Sequence, residues 1–336
     1  MKKTDCGENC SEKFYWNLFK DYDIQTNVQL KNFSTMRTGG VGKIVVFPKN
    51  YLEIAKILQI CEENGFKFFI LGNGSNVLFD DTGYDGVLIS LRHIDKIRVC
   101  HKENNEKLRG QKDLITQYIE TKDDNGVEKC YVWVGAGANL FVLNQKLAKL
   151  GLSGLEWSYG IPASLGGLVK MNGGCFGNEI CEFVDEIAVL CAKKIRRLKK
   201  DELCFEYRNS NLENCVILSV KLALFREKTE KIEEKMKKYF DLKRKTQPCE
   251  YASLGSVFKV VQRKNPIHPA KIIDNMGLKG VKMNGAEISE KHAGFIINKG
   301  KATSEDVLKL VEFLEKELRS VGVFAKREII VLKNSG

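Results

Sequence analysis

The stretch GLEWSYGIPASLGGLVKMNGGCFG, residues Gly154–Gly177, decides how the rest of the chain is read. It holds seven glycines in twenty-four residues, where the chain's average would place about two. Glycine at this density weakens any helix or strand. The backbone here therefore serves a positive φ, or an approach to a ligand that a Cβ would block. Consecutive exposed N–H groups in such turns form concavities that suit phosphate. A run of tight turns between strands would show the same composition, and the stretch alone does not separate the two readings.

Upstream, Ile44–Phe47 reads as a β-branched strand stopped by Pro48. Tyr51–Asn64 carries apolar residues at 54, 57, 58 and 61, a helical stripe ended by Gly65. Phe66–Leu71 is an apolar strand that runs straight into Gly72-Asn73-Gly74-Ser75-Asn76. This strand–helix–strand unit puts a glycine-rich loop at a strand's carboxyl end, where ligands gather in open α/β sheets. The loop fits neither the Rossmann nor the P-loop pattern. Asn32–Gly42 is an earlier loop of hydroxyls and glycines, and Val87–Ser90 a further strand. Tyr131–Val134 leads into Gly135-Ala136-Gly137-Ala138-Asn139, with Asn139 capping a helix that Gly151 ends. Residues 1–30 read as a polar lead-in, and 101–130 as a charged hairpin or mobile insertion.

Downstream, strand-like runs fall around 186–191, 203–207 and 215–224. Near residue 226 the composition shifts to REKTEKIEEKMKKYFDLKRKTQP, a charged helix with an apolar stripe that links domains. Beyond it, Pro269 suits a first helical turn and Gly277 stops that helix. Thr303 and Asp306 form a capping box ahead of the stripe Val307, Leu310, Val311, Leu314 and Leu318. Arg327–Leu332 is a closing strand.

A length of 336 residues implies two or three domains. The chain is 43% hydrophobic and 29% charged, the balance of an ordinary soluble protein. Its N-terminus lacks the apolar core of a signal peptide, and no apolar run approaches a membrane span. A cytoplasmic protein without a membrane partner is expected. Eleven scattered cysteines, odd in number and without a Cys-x-x-Cys, argue against a disulfide framework and against a zinc site. No metal is expected. The net charge of +11 suits anionic partners. The sharpest basic cluster, Lys193–Lys200, reads as a solvated strand or turn edge. It has no interleaved aromatics for bases to stack on, so nucleic acid is not expected.

Six segments in this order resemble the UDP-N-acetylenolpyruvoylglucosamine reductases, flavoenzymes of early peptidoglycan synthesis and hence of cell-wall biogenesis. They are NFSTMRTGG, LGNGSN, GLEWSYGIPASLGG with MNGGCFG, FEYRNS, GSVFK, and AKIID…GLKG…ISEKHAGFIIN…REIIVL. The resemblance runs from about Asn32 to Leu332, and SEKHAGFIIN is similar to the second, shorter type. It implies an α+β fold. A two-subdomain FAD-binding module of the PCMH/vanillyl-alcohol-oxidase type would precede a C-terminal α+β substrate domain. The corresponding segments are a lead-in at 1–30, FAD subdomains at 31–90 and 91–226, and the substrate domain at 227–336.

The resemblance further implies that NADPH, through non-covalent FAD, reduces the enolpyruvyl ether of a UDP-sugar to a lactyl ether, UDP-N-acetylmuramate. Ser256 would protonate the carbanion, Arg208 would stabilise its enolate-like charge, and Glu328 would orient and polarise the reacting group. FAD contacts would come from Thr35, Gly39, Gly40, Gly72, Asn73, Gly74, Ser75 and Asn76. Gly135, Gly137, Gly160, Ile161, Pro162, Ser164, Gly166 and Gly167 would complete them. Tyr207, Lys259 and Asn265 would contact the substrate. None of the histidines at 93, 101, 268 and 292 lies in a flavin loop, and His292 reads as a packing or hydrogen-bonding residue.

Three departures stand out. Ala163 replaces the last glycine of the family's GIPG, Cys175 replaces an alanine in its MNAGAYG, and Val260–Lys264 intervenes before Asn265-Pro266. Another flavin-dependent oxidoreductase of the same architecture would keep the cofactor loops but lack the Arg208, Ser256 and Glu328 trio.

Overall fold

Exposure alternates residue by residue along Ile24–Gln29, so β1 covers one face only, and it stands at the edge of its sheet. It lies inside the segment read as a polar lead-in. Only Ile24 and Val28 are strongly apolar there, too weak a pattern to mark a strand. The computed structural model describes residues 14–99, 120–122 and 128–334. β1 pairs antiparallel with β2 (Val41–Val46). The sheet continues through β5 (Tyr84–Ser90) to β3 (Phe68–Leu71), both pairings parallel. The crossover helix α1 (Tyr51–Glu63) buries Ile54, Ile57 and Cys61, and Gly65 follows it at φ 65°. β4 (Val77–Phe79) is wholly buried.

A second sheet has the order β13-β12-β16-β8-β6, antiparallel throughout. Its strands are β6 (Ile97–Val99), β8 (Glu128–Gly135), β12 (Val184–Cys191), β13 (Lys194–Lys199) and the long central β16 (Cys215–Arg226). Around it lie α2 (Leu140–Lys149), α3 (Leu165–Lys170) and the short hairpins β10–β11 (Gly174–Cys175, Asn178–Glu179) and β14–β15 (Phe205–Glu206, Asn209–Ser210). Of the charged insertion at 101–130, the described ends are β7 (Glu120–Lys122) and the start of β8, which pair antiparallel. The rest lies outside the described residues. β9 (Leu152–Ser153) pairs with the end of β16. The basic run forms the exposed edge strand β13, as a solvated edge requires.

The cysteine reading needs one correction. Cys191 and Cys215 are disulfide-bonded, with Cα atoms 4.6 Å apart. They face one another in the β12–β16 register. That register is a property of the folded sheet and leaves no mark in cysteine spacing.

The helix α4 (Thr229–Thr246) packs Ile232 and Met236 against Ala148 and Tyr159. After it come β17 (Ala252–Ser256), α5 (Pro269–Asn275), β18 (Lys282–Met283), β19 (Ala286–Ile288), β20 (Phe295–Asn298), α6 (Ser304–Ser320) and β21 (Ile330–Leu332). Four of these strands form an antiparallel sheet in the order β17-β20-β19-β18. α6 begins with the full Thr303–Asp306 capping box and buries Val307, Leu310, Val311, Leu314 and Leu318. They pack with Leu254, Ile273, Ile288 and Ile296. Each such side chain contributes about 1.5–3 kcal/mol on burial. Among the described residues no helix is long and apolar enough to cross a membrane.

The chain forms two compact units. One joins the part up to Ser90 with the part from Lys243 onward, and the other is Leu91–Leu242. Within the first unit the distant parts are stitched by pairing. β21 runs parallel to β4, with Ile330 opposite Val77 and Leu332 opposite Phe79. Met36 and Leu78 belong to the same apolar cluster as α6. Asp81 caps α6 from outside, accepting from Ser304 N–H at 3.0 Å and Glu305 N–H at 3.1 Å. Removing that carboxylate leaves helix-end donors unmatched. Asp81→Ala is expected to lower unfolding stability by about 1 kcal/mol, measured by urea denaturation, whereas an unchanged midpoint would show the cap to be dispensable.

Candidate functional site

Ser256 ends β17, opposite Phe295 of β20, just beyond an irregularity in the β17–β20 register that follows Ser253. Gly255 before it has φ 79°, which turns the strand at this point. The chain past Ser256 then pairs with the segment before β21. Glu328 N–H donates to the Val257 carbonyl at 2.7 Å, and Lys259 N–H donates to the Lys326 carbonyl at 2.9 Å. Ser256 and Glu328, far apart in sequence, thus sit on adjoining backbones. Ser256 is half-buried, and its hydroxyl has no hydrogen-bond partner among the described residues. Arg327 anchors the same segment from behind, through a two-pronged contact with Glu315 at 2.7 and 2.9 Å. The Arg327 hydrogen bond holds the Glu315 carboxyl below its ordinary pKa, against the opposing effect of burial.

Two of the expected cofactor loops hold these strands. Asn76 donates its side-chain amide to the Glu328 carbonyl at 2.9 Å, and its own carbonyl accepts Ile330 N–H at 2.9 Å. Thr35 donates its hydroxyl to the Ser253 carbonyl at 2.7 Å. The two loops are also joined, since Thr35 N–H donates to the Gly74 carbonyl at 3.2 Å. Gly74 is required sterically: its φ is 65°, and a Cβ would lie 1.8 Å from the Phe33 carbonyl oxygen. The backbone N–H groups of Asn73, Gly74 and Ser75 have no hydrogen-bond partner among the described residues. Successive free N–H groups around a left-handed residue make an anion nest, so this loop fits a pyrophosphate. Gly40 donates to the Asp80 carbonyl, and Gly39 has φ 120°. The neighbouring Thr38 hydroxyl is buried without a partner.

The glycines of the other unit are mostly occupied by the fold. Gly135 N–H donates to the Lys96 carbonyl and Gly137 N–H to the Ile94 carbonyl, at 2.9 and 2.8 Å. A Cβ on Gly137 would lie 1.7 Å from the Leu91 carbonyl oxygen. Gly166 N–H donates to the Ala136 carbonyl at 2.7 Å, and Gly167 N–H to the Ser164 hydroxyl that caps α3. These groups let backbones touch. Ile161 N–H is likewise bound, to the Ser158 carbonyl, as the chain turns through Gly160 at φ 86° towards Pro162.

Arg208 lies in this second unit, on the two-residue turn between β14 and β15, at φ 54°. Its guanidinium donates to the Gly174 carbonyl at 2.9 Å and the Asn172 carbonyl at 3.3 Å, and lies 3.9 Å from a Glu179 oxygen. It stands over the Tyr207 ring at 5.0 Å. The arginine is therefore tied to the end of the glycine-rich stretch. Sequence reading missed its partners Asn172 and Glu179, and also Lys170, which donates to the Leu212 carbonyl while Ser210 donates to its own carbonyl. Burial pushes the Lys170 ammonium pKa down. Only an unexpected lysine ending a small apolar helix could have hinted at it.

The three departures are all accommodated. Ala163 is not among the positive-φ residues, so its Cβ is tolerated, and its carbonyl accepts Leu140 N–H. Cys175 Sγ donates to the Trp157 carbonyl at 3.3 Å. Val261 and Ile267 bond each other in both directions, which makes the intervening residues an exposed loop with Asn265 on it. His292 accepts Gly294 N–H at Nδ1 and stacks edge-on to Phe295, and burial lowers its pKa. That is the packing and hydrogen-bonding role read from its context.

Comparison with known proteins gives consistent matches. Residues 247–332 match the UDP-N-acetylenolpyruvoylglucosamine reductase C-terminal domain. Residues 42–110 and 113–194 match an FAD binding domain. A UDP-N-acetylenolpyruvoylglucosamine reductase of Clostridium novyi (strain NT) is 34% identical over 300 residues, 88% of each chain. One of Thermotoga sp. (strain RQ2) is 32% identical over 327 residues, 96% of this chain and 98% of that one. The crystal structure of the Thermus caldophilus enzyme superposes with a TM-score of 0.69 at 29% identity, covering 92% of this chain and 98% of that one.

The Glu315–Arg327 pair gives a pH test of how the Glu328 segment is held. A carboxyl lowered in the folded state contributes stability fully above its unfolded pKa, about 4.3, and loses it as pH falls through the folded value. Glu315→Gln should therefore cost about 1 kcal/mol at neutral pH, a figure that allows for solvent screening of a partly exposed pair. The difference from wild type should close below the ordinary carboxylate range. A difference that stays constant to pH 2, about two units below that pKa, would contradict an ionic contribution.

Proposed function

We propose, from the premise that the chain belongs to the UDP-N-acetylenolpyruvoylglucosamine reductase family and is an FAD-dependent oxidoreductase, that it reduces UDP-N-acetylenolpyruvoylglucosamine to UDP-N-acetylmuramate with NADPH as the electron source. The observation that supports this most is the pairing that sets Ser256 beside Glu328, on strands tied to the Thr35 and Asn76 loops. The Asn73–Ser75 nest would hold the FAD pyrophosphate. FAD, when bound, supplies the hydride that it takes from NADPH to the terminal carbon of the enolpyruvyl group.

The chain's own residues then handle charge and proton. Negative charge grows on the carbon beside the carboxylate, and spreads into that carboxylate. A fixed cation stabilises it best when its position is set in advance, as the carbonyl contacts of Arg208 provide. The proton comes from Ser256 Oγ. A hydroxyl is a weak acid, but a carbanion is basic enough to take its proton, and no side chain competes for that hydroxyl among the described residues. Glu328 orients and polarises the reacting group, with its main chain fixed on both sides.

Two experiments test this. Purified protein should carry FAD and oxidise NADPH only when the UDP-enolpyruvyl sugar is present. A colourless protein that FAD cannot reconstitute would refute the reading. Ser256→Ala should leave reduction of the flavin by NADPH within about twofold, and slow reoxidation by the sugar about a hundredfold or more. Normal turnover in that variant would remove Ser256 from the reaction.

A further inference from the structure

Arg208 occupies a backbone conformation that glycine or asparagine adopts more readily. A residue kept there against its preference must be held by its surroundings. The centre of those surroundings is Asn172, which is buried and itself has φ 41°. Its side-chain amide donates to Glu179 Oε2 at 2.9 Å and to the Glu206 carbonyl at 3.1 Å, while Oδ1 accepts Cys181 N–H at 3.3 Å. Two acceptors face the amide nitrogen and one donor faces the oxygen, so only one orientation of the amide satisfies all three. The main-chain carbonyl of the same residue accepts the Arg208 guanidinium. The other oxygen of Glu179 faces that guanidinium at 3.9 Å.

We infer that Asn172 and Glu179 are positioning residues for Arg208. Asn172 joins the end of the glycine-rich stretch to the β14–β15 hairpin through Glu206, two residues before the arginine. It also aims the Glu179 carboxylate, whose second oxygen limits how far the guanidinium can swing. The arginine's position is therefore set from its backbone and from its head group together. Misplacing a charge-stabilising group by an ångström costs rate at the step where charge develops, and leaves earlier steps alone.

The inference rests on the reading of Arg208 given above, and its test separates the two. Flavin content, NADPH reduction of the flavin, and anaerobic reoxidation by UDP-N-acetylenolpyruvoylglucosamine are measured for Glu179→Gln, Asn172→Ala and Arg208→Lys, and for each positioning variant combined with Arg208→Lys. Glu179→Gln keeps the side chain's shape, so it serves if Asn172→Ala does not fold. Both single variants should retain flavin and its reduction by NADPH, and reoxidise at least about tenfold more slowly. Added to Arg208→Lys, they should cost little more, because the group they position is already altered. Full additivity, or a parallel fall in flavin content and reduction, would overturn the inference while leaving the role of Arg208 intact. Wild-type reoxidation in Arg208→Lys alone would overturn the reading of Arg208, and the inference with it.

Discussion

The hydrogen bond from Glu328 N–H to the Val257 carbonyl is the constraint on which the placing of Ser256 and Glu328 within the first unit depends. It places two short segments of chain, one just past β17 and one just before β21, side by side. Neither segment is long enough to be stable alone, since isolated strand pairs are marginal in water. Their stability comes from outside: Asn76 grips the Glu328 carbonyl, β21 extends along β4, and Arg327 is pinned to α6 through Glu315. The loop that offers free N–H groups to an anion is therefore also the loop that fixes Glu328. Under the proposed reading, cofactor binding and the placing of the Glu328 carboxylate would share one piece of backbone.

In the second unit the same economy appears in another form. Gly135, Gly137 and Gly166 are consumed by backbone-to-backbone contact, with their N–H groups bound to carbonyls of neighbouring segments. What the glycine-rich stretch gives this unit is a pair of carbonyls, at Asn172 and Gly174, that hold the Arg208 guanidinium. On the proposed reading, the stretch would serve the chemistry through the arginine it positions.

Much of this was legible in the sequence, for physical reasons. α1, α2 and α6 announce themselves through local signals: an apolar stripe and a glycine stop for α1, a capping asparagine and a glycine stop for α2, and a capping box with an apolar stripe for α6. The six motif segments are what single out Ser256, Glu328 and Arg208, through resemblance alone. What stayed hidden depends on register and distance. The Cys191–Cys215 bond requires knowing which residues of β12 and β16 oppose one another. β1 is a half-exposed edge with little apolar content. Asn172 looks like any turn asparagine until the Glu206 carbonyl, the Glu179 carboxylate and the Cys181 N–H are seen around it. The glycines at 135 and 137 were legible as special, but the carbonyls that demand them come from residues 91–96, a pairing no local pattern reveals.

The central claim is that this chain reduces the enolpyruvyl ether of a UDP-sugar at a flavin. The most direct measurement is a single turnover without NADPH. The flavin is photoreduced in the absence of dioxygen, mixed with UDP-N-acetylenolpyruvoylglucosamine, and followed by its visible absorbance. The account predicts that the oxidised flavin spectrum returns, with one equivalent of UDP-N-acetylmuramate formed per flavin. A flavin that stays reduced in the presence of the sugar, and is reoxidised only when dioxygen is admitted, would contradict it.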